Sequence, residues 1–386
     1  MKIKITNKLT KKQQSQAIKL FVKYFPVRNK KDGTEHFTFY LNNTQKKKMI
    51  IAQDEKSNLL GIYILLNRKI SFFGCNLKVI NMSYLVVKDQ KNFSITKKII
   101  DVALNYVIKN SDVSVQILRR IMNHYWTRYG YIGFANFNDF IINKSDFCES
   151  SNLKIEKLNE QNLINARYLY NKHYKDQPLG FIRDKRTWVS YLRYLNKKKI
   201  EAFVIKSKTK PVAYTIFNNN VLRESVIQKG FEKKIFSLIF NLKNKDKNLT
   251  IQLSGNHPII KNLRNYSHTE NLRYVNEGGH IIKIHDFTKF IKKIRPVIQK
   301  RLKKIIIGNF EICLNKFKFI WKDQRLKILI NKKRPDFFLD NTNLTKLFLG
   351  ILDPEEILNI NNKKILILKI MFPKLFPHLV YMDQLI

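Results

Sequence analysis

The chain has 386 residues, 44% of them hydrophobic, with 27 Phe and 17 Tyr; such a chain buries two or three cores and is not a disordered tail. Its 73 Lys and Arg against 29 Asp and Glu give a formal net charge of +44, which suits a polyanion such as RNA, DNA, an anionic glycan or a membrane surface. Lys is nevertheless spread from end to end in short clusters (Lys46–Lys48, Lys197–Lys199) with no arginine-rich arm, so compositional drift is favoured and nucleic acid is expected only as a non-specific partner.

Along the chain, Lys11 to Phe25 fits an amphipathic helix, with Ile18, Leu20, Phe21 and Tyr24 on one face. Met49–Ala52 and Leu59–Leu66 read as strands around the polar turn Asp54–Asn58. Val79–Val87 is an apolar strand, followed by the polar loop Lys88–Ser94 and an amphipathic helix from about Ile95 to Asn110. That helix keeps Ile95, Ile99, Ile100, Ala103, Leu104 and Val107 on one side. A strand at Ser114–Leu118 and the aromatic stretch His124–Tyr131 close this first unit.

From about residue 150 the pattern recurs more faintly. Helices at Glu160–Tyr174 and Lys185–Leu195 precede a hairpin of Ile200–Ile205 and Pro211–Phe217. A helix near Lys233–Leu242 and a strand at Thr250–Leu253 follow, without a phosphate-loop candidate. From about 287 a helix to Lys303 leads into short strands at Phe310–Leu314, Phe317–Trp321 and Leu326–Ile330. Asp353 before Pro354 reads as an N-cap with Pro at the first helical position.

The order of strand, loop, helix, strand and aromatic turn between Val79 and Phe140 resembles the GNAT family of N-acetyltransferases. The last third resembles the sterol-carrier-protein-like domain that ends enhanced-intracellular-survival-type acetyltransferases, through Ile281–Asp286, Leu344–Gly350, Met371–Pro373, Pro377 and Asp383. The resemblance implies an α/β (α+β) protein in three parts: a GNAT domain with the acetyl-CoA site at 1–148, a degenerate GNAT-like domain at 149–286 and a sterol-carrier-like cap at 287–386. It implies acetyl transfer from acetyl-CoA, as co-substrate, to the primary amine of a small molecule, sugar or peptide by direct attack in a ternary complex.

Such chemistry needs a seat for CoA, a proton for the leaving thiolate and a base for the amine. By resemblance the seat combines the backbone of Leu85, Val86 and Val87 with the loop and helix start Lys91, Asn92, Phe93, Ser94, Ile95 and Thr96. Amides at a helix N-terminus hydrogen-bond a pyrophosphate, and the dipole favours it. Ser94 and Thr96 stand where the family has glycine-like residues, and they adopt positive φ less freely. Lys91, Lys97 and Lys98 add compensating charge.

In the family's turn a tyrosine protonates the thiolate. Aligning on Gly130 puts Trp126 there, with Tyr125 before and Tyr129 after; an indole N–H donates a hydrogen bond but is no acid. Tyr125 in a shifted position, water, or a domain that binds without turnover remain open. The C-terminal carboxylate of Ile386 is the base by resemblance, with His124 as a lesser candidate. Arg119 and Arg120 suit an anionic ligand or solvent equally.

The alternatives are a catalytically silent GNAT-fold binding or scaffold protein and, behind it, a basic nucleic-acid binder. Cys75, Cys148 and Cys313 lie far apart without a C-x-x-C pair, against disulfide or zinc frameworks. No metal-binding motif occurs, the start lacks a signal-peptide pattern, and the longest apolar runs fall short of a membrane span. A cytoplasmic protein is expected, its self-association left open.

Overall fold

The computed structural model describes residues 1–25, 29–43, 47–88, 93–117, 123–134, 137–142, 152–243, 249–254, 257–263, 268–273, 280–358 and 362–375. In chain order the first elements are β1 (Lys2–Thr6), α1 (Lys11–Tyr24), α2 (Lys30–Asn43), β2 (Lys47–Gln53), β3 (Leu59–Phe72), β4 (Cys75–Val87), α3 (Phe93–Asn110), β5 (Val113–Ile117), α4 (Asn123–Thr127) and β6 (Ile132–Phe134). Then come β7 (Phe137–Ile142), β8 (Leu153–Lys157), α5 (Leu163–Tyr174), β9 (Pro178–Phe181), α6 (Lys185–Lys197), β10 (Glu201–Ser207), β11 (Lys210–Asn218), β12 (Val221–Ile227), α7 (Glu232–Lys243), β13 (Leu249–Ser254), α8 (Pro258–Leu263), β14 (His268–Arg273) and β15 (His280–Ile284). The last third holds α9 (Phe287–Leu302), β16 (Phe310–Leu314), β17 (Phe317–Lys322), β18 (Arg325–Ile330), α10 (Asn341–Phe348), α11 (Pro354–Leu358) and α12 (Lys363–Met371).

Local signals account for many of these boundaries. Thr10 and Gln13 form a reciprocal capping box that starts α1. Asp184, Asp286 and Asp340 each accept the N–H three residues on and so start α6, α9 and α10. The helix expected from Ile95 begins two residues sooner, at Phe93, which places Ser94 inside the first turn.

Among the described residues the strands form three sheets. The first runs β1-β2-β3-β4-β5-β15-β6, with β9 added to the far end of β3. The second runs β14-β7-β13-β12-β11-β10-β8, and the third β16-β17-β18. The two large sheets trade a strand. β7, which follows β6 in the chain, lies between β13 and β14, while β15, which follows β14, lies between β5 and β6. Each large sheet contains a parallel pair, β4 with β5 and β12 with β13.

In the first sheet Ile62, Ile64 and Leu66 face α1 and α2, while Tyr63 and Leu65 face α3, the alternation that a strand dictates. The third unit shares a core with the far end of this sheet: Ile70, Phe72 and Leu77 pack with α9, the small third sheet and α12. The buried Asp112 carboxylate anchors that junction, accepting from Lys78 N–H at 2.8 Å and pairing with Lys293 at 2.5 Å and Lys289 at 3.2 Å. Burial alone would push this carboxyl up; the bonds from Lys293, Lys78 and Lys289 outweigh it and hold the group below the usual carboxylate range.

Candidate active site

The site begins with a defect in β4. Ile64 pairs with Ser83 and Ile62 with Val86, so Tyr84 and Leu85 stand opposite the single residue Tyr63. This is a β-bulge, and Tyr84 takes the left-handed conformation (φ 54°) within it. The extra residue flips the alternation. Ile80 and Met82 face α3, yet so do Leu85 and Val87, while Tyr84 turns toward α1 and α2.

At the same point β4 leaves its other neighbour. Its parallel pairing with β5 ends at Met82 and Gln116, and among the described residues β3 is the strand with which Ser83–Val87 continue to pair. The strands therefore part in a V whose vertex is Met82–Gln116. Ser83, Tyr84 and Leu85 are half-buried, whereas Val79–Met82 just before them are buried. Near the vertex the Asn81 Nδ2 and Gln116 Nε2 donors are buried without a partner among the described residues. Orphaned donors of this kind are rare in folded proteins and call for an explanation, a bound acceptor being one.

Behind the V stands the first turn of α3, which contains no acid. Phe93 and Ser94 are exposed, Ile95 and Thr96 half-buried, and Lys97 and Lys98 exposed just beyond. The backbone at Ser94 and Thr96 is helical, so neither residue has to adopt a positive φ; the concern raised by the missing glycines narrows to the bulk of two small side chains. The first N–H groups of any helix lack intrahelical partners, which makes this turn a donor set for an anion. Gly61 lets α3 lie close: a Cβ there would stand 2.8 Å from Ile99 Cδ1.

The aromatic turn forms the other flank. α4 ends in a Schellman cap, with Tyr131 N–H donating to Trp126 O at 3.3 Å and Gly130 N–H to Thr127 O at 2.9 Å. Gly130 is the left-handed residue (φ +74°) that this cap requires. Lys283 of β15 donates to Tyr129 O at 2.6 Å, so a residue from beyond the second sheet steadies the turn. Trp126 is buried, with its ring against those of Tyr125, Tyr129, Tyr131 and Tyr63. Tyr125 is half-buried with its hydroxyl 3.3 Å from that of Tyr129. Burial first, and then the Tyr129 hydroxyl, raise the Tyr125 phenol well above the ordinary tyrosine range.

A buried polar chain runs beneath this turn. Tyr63 Oη donates to Gln116 Oε1 at 3.0 Å, and Ser114 Oγ lies 2.6 Å from Tyr131 Oη and 2.8 Å from His285 Nε2. On the opposite face of the sheet His36 of α2 meets the bulge, its Nε2 2.7 Å from Tyr84 Oη. Burial, with Lys198 and Lys197 nearby, lowers the His36 pKa to about 4, so its imidazole is neutral at pH 7. The rings of His36 and Phe39 reach Tyr194 of α6, which brings the second unit to the rim.

Thus Leu85, Val87, Ile95, Tyr125 and Trp126 of β4, α3 and α4 share one core, Val86 packs on the opposite face of the sheet, and Phe93, Ser94 and Thr96 lie at the α3 start outside it. Lys91, Asn92, Arg119, Arg120, Cys148, Pro377, Asp383 and Ile386 lie outside the described residues, as does the side chain of His124. Sequence reading missed His36, although Phe37, Tyr40 and Leu41 carry the i, i+3, i+4 spacing that marks α2. It also missed Lys283 and the Tyr63–Gln116 bond, which depend on long-range pairing.

No family model matches the chain, and no curated protein matches it in sequence. Solved structures do match in shape. A GCN5-related N-acetyltransferase from Anabaena variabilis is 14% identical, with 98% of this chain and 99% of that one covered at a TM-score of 0.71. A conserved protein of unknown function from Enterococcus faecalis, a probable N-acyltransferase, is also 14% identical at the same coverage, with a TM-score of 0.69. Eis1 from Mycobacterium abscessus is 12% identical over 96% of this chain and 97% of its own, with a TM-score of 0.58. At such identities the likeness is one of backbone, and the chain has the mixed α/β fold of the GCN5-related N-acetyltransferases.

Proposed function

We propose that the protein is an N-acetyltransferase that moves an acetyl group from acetyl-CoA to a primary amine by direct attack in a ternary complex. The observation that carries this reading is the end of β4, where a bulge, a parting from β5 and an acid-free helix start coincide. In this reading the backbone of Leu85, Val86 and Val87 binds the pantetheine arm. Amides of the α3 first turn, with Lys91 and Asn92 ahead of it, receive the pyrophosphate. CoA supplies an activated thioester, and the chain supplies position and protons.

Tyr125 is the proton donor in this proposal, because its half-buried hydroxyl, next to that of Tyr129, is the phenol adjacent to Trp126 in the turn. Trp126 packs as a wall beneath it. The Ile386 carboxylate is retained as the base for the amine. The acceptor, a small molecule, sugar or peptide, approaches along the His36–Tyr84 face, with α6 as one wall. We assign residues 1–148 and 149–286 to a GNAT domain and a GNAT-like partner, and 287–386 to a sterol-carrier-like cap. A silent binding protein is the second reading, favoured by the burial of Trp126 where the family has its acid.

Calorimetric titration with acetyl-CoA, using tripolyphosphate as a charge control, tests the proposal. One-to-one micromolar binding that tripolyphosphate fails to reproduce supports the seat and opens an amine screen. Binding no tighter than tripolyphosphate overturns it. Tight binding without turnover across the screen selects the silent protein.

A further inference from the structure

The end of α9 carries a feature that acyl transfer does not use. Lys303-Lys304-Ile305-Ile306 project between two anchors, the buried Leu302 and the core-packed Ile307. N–H groups of Lys303, Lys304 and Ile305 donate back to Gln299, Arg301 and Leu302 carbonyls, so α9 ends at Leu302 in a hydrogen-bonded turn with Ile306 just past it. Arg301 fixes the helix end by donating to Met371 O at 2.8 Å and lying over the Phe73 ring. Beyond this anchored helix end Ile306 is fully exposed and Ile305 is 47% exposed.

Cations line the end of α9 that leads into the two isoleucines. A groove of about 460 Å³ beside them is lined by Arg295, Pro296, Gln299, Lys300, Lys303 and Lys304. Leu326 N–H donates to Gln299 Oε1 at 3.4 Å, which sets the β17–β18 turn, with exposed Lys322 and Arg325, beside that groove. Asp323 is the acid on that turn. Arg295, Lys300, Lys303, Lys304, Lys322 and Arg325 have no ion-pair partner among the described residues.

We propose that this tip is a docking face for the surface of an anionic lipid bilayer. Exposed apolar side chains flanked by unpaired cations match the two layers of such a surface: phosphates outside, acyl chains within. A nucleic acid would answer the lysines but offers nothing to an exposed pair of aliphatic side chains. Among the described residues no helix is long and apolar enough to cross a membrane, so the contact is superficial. Two isoleucines plus a basic flank give reversible, salt-sensitive attachment.

Co-sedimentation of the full chain with phosphatidylglycerol-containing and pure phosphatidylcholine vesicles tests this, since every substituted side chain is exposed. The chain should bind the anionic vesicles and not the neutral ones. Ile305→Asn with Ile306→Asn should weaken binding about ten-fold, and Lys303→Glu or Lys304→Glu about five-fold or more each. Lys19→Glu with Lys23→Glu on α1 removes twice the charge of either single tip variant, from the groove of α1 and α2, and should leave binding within two-fold. The proposal is overturned if the isoleucine variant binds like the parent chain. Equal losses from the α1 variant, which would mean net charge alone, overturn it too, as does an RNA complex weakened by the same isoleucine substitutions.

Discussion

Where β4 leaves β5 and where β12 leaves β13, the two large sheets follow one plan. Each strand parts from a parallel neighbour just after its last pair, Met82–Gln116 in one case and Leu222–Ile251 in the other. Each carries a bulge at that point, Tyr84–Leu85 against Tyr63 and Arg223 beside Phe217. Each then leads through a loop into a helix, α3 or α7. The contents of the two openings differ. Ser83–Leu85 are half-buried, whereas Glu224–Ile227 are buried. His257 Nε2 lies 3.0 Å from Ser225 O, and α8 packs behind it within the second core. The first turn of α7 carries Glu232, whose Oε2 accepts Gly230 N–H at 2.7 Å, where α3 has no acid. One backbone device thus exists as an exposed opening and as a packed one, and side chains decide which.

The packed version also houses a buried ion pair, and removing its carboxylate has the largest expected effect. Arg183 holds Glu224 through two bonds of 2.7 and 2.9 Å, Tyr191 and Tyr214 donate to the same carboxylate, and the rings of Tyr170, Trp188 and Tyr191 enclose the guanidinium. Glu224→Gln strands a buried cation and should cost about 3–5 kcal/mol, read by denaturation followed through tryptophan fluorescence. A loss under 1 kcal/mol would mean that the second opening is not held shut by this network. In the exposed version the next largest effect falls on chemistry: Tyr125→Phe should lower kcat about a hundred-fold with little change in KM for acetyl-CoA. An unchanged kcat would assign the proton to water.

How far the sequence reveals this contrast depends on the range of the interaction. The first opening was readable because it is local: an apolar strand at Val79–Val87, a polar loop and a 3.6-residue period from Ile95 onward lie within one stretch. The helices and the β10–β11 hairpin of the second unit were legible for the same reason, whereas β12 was not read as a strand. The exchange of β7 and β15 was not, since Ile281–Ile284 looks like any buried strand and nothing local selects β5 as its partner. Nor was the filling of the second opening legible, because His257 and Ser225 meet only after β13 has paired with β12. Arg183 and Glu224 lie far apart in the chain and belong to no motif.

Substitutions that make each opening resemble the other give smaller effects. Ser94→Glu gives α3 an acid in its first turn, as α7 has, and sets a negative charge against the proposed pyrophosphate seat. Acetyl-CoA affinity should fall about ten-fold, measured by calorimetry, with no loss of thermal stability. If affinity is untouched, the anion sits elsewhere and the α3 turn is only a strand-to-helix connection.

The reverse substitution, Glu232→Gln in α7, should change least and is the sharper control. It removes the acid from the turn, so if an acid-free helix start were sufficient, a second molecule of acetyl-CoA would bind. We expect none. The cost should be about 0.5 kcal/mol of stability from a weakened cap at Gly230, because His257 and α8 still fill the space between β12 and β13. A stoichiometry of two would show that charge at the helix start, and not packing between the strands, is what separates the two openings.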